Sequence, residues 1–95
     1  MNIDLSGRVG IVTGTSGGIG LAIANALAAS GARVFGFSRT GGVKEGETAS
    51  HPGVEHRRVD VGDYHALAAA VTDVAAAAGG IDFVVNNAGA TVKRR

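Results

Sequence analysis

The segment Thr13-Gly14-Thr15-Ser16-Gly17-Gly18-Ile19-Gly20 constrains this 95-residue chain more than any other feature. It follows a β-branched run, Val9-Gly10-Ile11-Val12, and opens an Ala/Leu/Ile stretch of helical period. A strand, a glycine turn and a helix in that order form the half-unit that holds a dinucleotide pyrophosphate. Gly14 permits a tight exit from the strand, Gly18 lets backbone approach phosphate, and Gly20 lets the helix pack closely on the sheet. The unpaired N–H groups of the first helical turn then face the anion. With 16 glycines in the chain, the spacing alone would be weak evidence. Its position between strand and helix carries the weight.

Beyond the turn, strand-like and helix-like segments alternate, which predicts a parallel sheet with crossover helices. A first strand is expected over residues 8–13 and a helix over residues 18–30, with Ile19, Ile23 and Leu27 stacked at i, i+4 and i+8. Gly31 stands where a helix ends. A second strand covers residues 33–37, and residues 40–52 lack apolar periodicity and read as a loop with at most one or two helical turns. The third strand is expected over residues 54–61. Asp63 caps a helix over residues 64–78 whose Leu67, Ala70, Val71 and Val74 face the sheet. Gly79-Gly80 stop that helix, and residues 81–85 form the fourth strand. Right-handed crossovers order these strands 3-2-1-4. Val84 and Val85 read as a strand buried on both faces, yet one edge has no partner in the sequence. The expectation is a sheet truncated before its remaining strands.

Composition excludes several classes of function. The net charge is +1, and the basic residues cluster only at Arg57-Arg58 and Lys93-Arg94-Arg95, too few for a nucleic-acid surface. No cysteine is present, so disulfides, thiolate chemistry and cysteine-based zinc sites fall away. His51, His56 and His65 lack metal-ligand spacing and read as exposed, so no metal site is expected. Neither a signal segment nor an apolar run of membrane-spanning length occurs, and the expectation is a cytoplasmic protein without membrane contact.

Three motifs together resemble the short-chain dehydrogenases/reductases. They are Thr-Gly-x-x-x-Gly-x-Gly at residues 13–20, Asp60-Val61 at the end of strand three, and Asn86-Asn87-Ala88-Gly89 after strand four. The opening Asp4-Leu5-Ser6-Gly7-Arg8-Val9 is similar to the usual entry to that family's first strand, so the likeness runs from Leu5 to about Thr91. It implies an α/β, Rossmann-like fold, with residues 1–95 as a partial dinucleotide-binding domain. By position, Gly14, Ser16, Gly17, Gly18, Ile19 and Gly20 would line the pyrophosphate and nearby ribose. Asp60 would accept from the adenine amino group, and Val61 would pack near the adenine ring. A strand-end or capping role is the other reading of Asp60. Asn87 and Gly89 would lie along the cofactor ribose, while Asn86 ties strand four to its neighbour.

Strand two ends in Phe37-Ser38-Arg39-Thr40. NAD-selective folds carry a carboxylate about 20 residues after the glycine turn, where it binds the ribose hydroxyls. Here Ser38 takes that place and Arg39 follows, a neutral group beside a cation able to clamp a 2′-phosphate. NADP is therefore expected in preference to NAD.

Family members work with a Tyr acid/base, a Lys four residues on that lowers its pKa, and an upstream Ser that polarises the substrate oxygen. None can be assigned here. Tyr64 is the single tyrosine, and Ala68 stands four residues after it. The chain thus reads as the cofactor-binding portion of an NAD(P)-dependent oxidoreductase acting on a carbonyl or alcohol, with no catalytic residue of its own. Two alternatives are a non-catalytic nucleotide-binding module or truncated remnant, and a nucleotide-sensing relative. A small-molecule carbonyl or alcohol substrate is expected only in a complete protein. Self-association, by pairing at the edge of strand four, or a complementing chain is a separate expectation.

Overall fold

The computed structural model describes residues 3–87. Their order is β1 (Val9–Thr13), α1 (Gly18–Ala29), β2 (Arg33–Ser38), β3 (Val54–Arg58), α2 (Tyr64–Ala78) and β4 (Phe83–Val85). All three strand pairings are parallel, and the sheet order is β3-β2-β1-β4, the order expected of a doubly wound sheet. Ile11 of β1 aligns with Phe35 on one side and Val84 on the other.

Strand pleating divides the core in two. Val12 and Val34 turn to one face and join Ala24, Ala28, Ala32 and Val54, with Ile23 and Leu27 of α1 packed against them. Ile11, Phe35 and Phe37 turn to the other, where they meet Val59 and Val74, backed by Leu67, Ala70 and Val71 of α2. Each helix covers one face of the sheet. The ends of α2 follow from its sequence. Asp63 Oδ1 accepts from the Ala66 N–H at 3.1 Å, and Gly79 closes the helix in the left-handed region at φ 81°.

Several expected details are corrected. Ile19 does not join the buried stripe of α1; it is 71% exposed, and the buried residues are Gly20, Leu21, Ala24 and Ala28. Within the first helical turn it is Gly20 that faces the end of β1, so Ile19 is left facing outward and the buried stripe starts one residue later. Val84 is 59% exposed and not buried on both faces, because α2 does not reach over β4. Its neighbours Phe83 and Val85 pack on the α1 side. Strand β3 ends at Arg58, before Asp60 and Val61, although the Val59 N–H still donates to the Ser38 carbonyl at 2.8 Å. The fourth strand spans Phe83–Val85 only. His51 and His56 are half-buried and bonded: His51 Nδ1 accepts from the Gly53 N–H at 2.8 Å, and His56 Nε2 lies 2.9 Å from Ser50 Oγ.

Candidate functional site: the cleft at the strand ends

In an open parallel sheet, ligands bind beyond the carboxyl ends of the strands, where neighbouring crossovers diverge. A cleft of about 970 Å³ lies there. Its lining includes Gly14 and Ser16 after β1, Ser38 at the end of β2 with Arg39 and Thr40 after it, and Asp60, Val61 and Gly62 after β3. Ile11, Phe37, Val59, Leu67, Val71 and Val84 make an apolar floor.

The glycine turn has the shape that its sequence requires. Gly14 leaves β1 at φ 73°, a conformation a side chain resists, and its N–H donates to the Phe37 carbonyl at 2.7 Å. Gly20 has no room for a Cβ, which would run into the Gly14 carbonyl oxygen and the Asn87 side chain. The start of α1 is thereby drawn tight against the end of β1. No side chain caps the helix at Gly17, but the Gly18 N–H donates to Glu47 Oε1 at 3.1 Å. Gly17 lies under the same carboxylate.

Other expected site residues are placed as follows. Ser38 is buried, and its hydroxyl oxygen accepts from the Gly41 N–H at 3.0 Å, which shapes the turn after β2. Arg39 is exposed on the cleft rim, with no carboxylate within 4.0 Å among the described residues. Asp60 Oδ1 accepts from the Gly62 N–H at 2.9 Å, a turn-forming role that leaves its other oxygen available at the rim. Val61 is half-buried against the α2-side core. Asn86 Oδ1 accepts from Thr13 Oγ1 at 3.1 Å and so ties β4 to β1. Asn87 is half-buried beside Gly20, and Gly89 lies outside the described residues.

Sequence reasoning missed two charged residues at this site, Lys44 and Glu47. Lys44 lines the cleft, and its N–H donates to the Ser16 carbonyl at 2.7 Å. Both residues lie in the aperiodic segment after β2, and no local pattern marks contacts that span 28 and 29 positions. Arg57, by contrast, is occupied elsewhere, paired with Glu55 at 2.7 Å and set over the Phe35 ring. Among the described residues no cluster of His, Cys, Asp or Glu could hold a metal ion, and no helix is long and apolar enough to cross a membrane.

Comparison with known proteins agrees with this geometry. The short chain dehydrogenase family model matches residues 8–95. The chain belongs to the short-chain dehydrogenase family. It is 42% identical over 88 residues to L-xylulose reductase from Bos taurus, covering 93% of this chain and 34% of that protein. D-erythrulose reductase from Gallus gallus is 44% identical over 90 residues, covering 93% and 35%. Carbonyl reductase (NADPH) 2 from Sus scrofa is 40% identical over 88 residues, covering 93% and 34%. Among solved structures, the aldohexose dehydrogenase of Thermoplasma acidophilum superposes with a TM-score of 0.72 at 32% identity, covering 87% of this chain and 30% of that one. The chain thus spans about a third of the length of the curated relatives it matches.

Proposed function

We propose that this chain is the cofactor-binding portion of an NADP-dependent short-chain oxidoreductase. The reaction would move a hydride between nicotinamide and a small carbonyl or alcohol. One observation carries the reading. The cleft brings Gly14 and Ser16 of the glycine turn together with an Arg39 that has no ion-pair partner among the described residues and a neutral Ser38, where NAD-selective folds place a carboxylate. Family membership supports it, as does the name of the porcine relative, which includes NADPH.

The residues present fit such a cofactor. Gly20 draws backbone against backbone where a Cβ would intrude, and this leaves a narrow cradle at the start of α1. Amides of that helix's first turn offer donors and a positive helix end to a pyrophosphate. Gly14, Ser16, Gly17, Gly18, Ile19 and Gly20 would hold the pyrophosphate side, with the Gly18 N–H shared with Glu47. Ser38 and Arg39 would take the 2′-phosphate, and Asp60 and Val61 the adenine. Asn87 and Gly89 would take the ribose. When bound, the cofactor supplies the hydride; this chain's part is to bind, orient and discriminate it.

A second reading, a nucleotide-binding module without catalysis, is favoured by one fact. Tyr64, the single tyrosine, is 77% exposed at the start of α2 and does not line the cleft. Two assays separate the readings. Titration of the chain with NADPH, followed by nicotinamide fluorescence, should saturate. Turnover of a carbonyl panel should then require a partner chain that carries a Tyr-x-x-x-Lys helix. Saturation without turnover under any such complementation would favour the module, and no saturation would defeat both.

A further inference from the structure

The segment between β2 and β3 does more than connect them. Its first turn is fixed by Gly41 N–H to Ser38 Oγ at 3.0 Å and by Thr40 Oγ1 to the Gly42 carbonyl at 3.1 Å. The chain then returns to the glycine turn, where the Lys44 N–H donates to the Ser16 carbonyl at 2.7 Å. One tight turn later the Glu47 N–H donates to the Lys44 carbonyl at 3.2 Å, and the Glu47 carboxylate accepts from Gly18 at 3.1 Å. Lys44 is therefore held by backbone at the cleft, between two anchors, although it belongs to an otherwise irregular loop.

Charge at this corner is unbalanced. Arg39, Lys44 and Asp60 are the charged residues lining the cleft. Asp60 already accepts from Gly62, and the ion pairs of the described residues involve Arg8, Arg33 and Arg57, never Arg39 or Lys44. A phosphate monoester carries about −1.5 to −2 at neutral pH. A single arginine leaves roughly half to one negative charge unmatched, and Ser38 contributes none.

We infer that Lys44 is a second cation for the ribose 2′-phosphate and a determinant of cofactor specificity, with Glu47 the positioning residue that pins its loop. This rests on the reading of the cleft as an NADP site. Arg39 would supply the planar, directional contact and Lys44, which lines the same cleft, a second point charge. Glu47 does not line the cleft itself; it lines a neighbouring recess with Gly18, Leu21 and Asn25, where its carboxylate and a pyrophosphate would share the Gly18 N–H.

The test uses adenosine 2′,5′-bisphosphate and adenosine 5′-monophosphate as probes on the full chain, by calorimetry. Lys44→Gln should weaken the bisphosphate about two- to fivefold, the range of a partly solvated charge pair, and leave the monophosphate unchanged. Lys44→Arg should restore the loss, and the salt dependence of bisphosphate binding should be shallower in Lys44→Gln. Glu47→Ala should reproduce part of the Lys44→Gln loss, whereas Glu47→Gln, which keeps an acceptor for Gly18, should not. Equal loss on both probes, or none on either, overturns the assignment of Lys44. If Arg39→Ala weakens the bisphosphate while Lys44→Gln does not, only this inference fails. If the parent chain distinguishes neither probe, the NADP reading fails and takes the inference with it.

Discussion

Thr13 Oγ1 donates to Asn86 Oδ1 at 3.1 Å across the β1–β4 boundary. The bond joins residues 73 positions apart, at the point where the central strand turns into the glycine loop. Thr13 is only 4% exposed, so the bond is partly shielded from water. Asn86→Ala should therefore cost about 1 kcal/mol, with more of the loss at β4 than in the β2–β3 half of the sheet. Urea unfolding measures the total, and amide hydrogen exchange on Val84 and Val85 locates it. Unchanged exchange at both amides would show that the bond does not hold the edge strand.

Gly20 and Gly42 offer a paired test of the cradle. Helix propensity alone predicts that Gly20→Ala stabilises α1 by about 1 kcal/mol. Steric conflict with the Gly14 carbonyl predicts the opposite, since overpacking costs about 1–3 kcal/mol. We expect the conflict to win, giving a net loss of stability and of nucleotide binding. Gly42→Ala, where an added Cβ meets nothing within 4 Å, should change neither. Thermal melts and NADPH titrations of both variants decide it.

Val84 stands 59% exposed on β4, whose outer edge has no strand partner among the described residues. Unpaired edge N–H and C=O groups, beside an exposed apolar residue, template association with another chain. Sedimentation over a concentration series should show self-association of the chain, and Val84→Lys should reduce it. A parent chain that stays monomeric at every concentration would contradict this.

Much of the fold was legible because its determinants are local. Gly14, Gly18 and Gly20 mark the turn, Asp63 and Gly79 bracket α2, and alternation at Ile11–Val12 and Val34–Phe35 assigns both faces of the sheet. Right-handed crossovers with α1 and α2 on opposite faces then give the order β3-β2-β1-β4. Asn86 was also readable, as the residue tying β4 to its neighbour. What escaped depends on tertiary placement. Ile19 keeps the helical period yet is left exposed where Gly20 makes the contact with β1, and Val84 keeps the strand pattern yet is left exposed on β4. Lys44 and Glu47 sit in a segment without periodicity, and their anchors lie on the far side of a strand and a helix. Only the folded geometry brings them to the glycine turn.

On the proposed reading, the corner formed by Ser38 and Arg39 selects a phosphorylated dinucleotide. One charge-assisted contact is worth roughly 1.5–3 kcal/mol, and about 1.4 kcal/mol corresponds to a tenfold change in affinity. The unmodified chain should therefore bind NADP about ten- to a hundredfold tighter than NAD. The double change Ser38→Asp, Arg39→Ala should reverse the order, because the new carboxylate can still accept from the Gly41 N–H while it repels a 2′-phosphate and binds ribose hydroxyls. Calorimetric titration of both forms with both cofactors is the deciding measurement. Tighter NADP in the parent and tighter NAD in the variant is the predicted result; equal affinities in the unmodified chain would contradict the claim and show that Arg39 serves only the solvent.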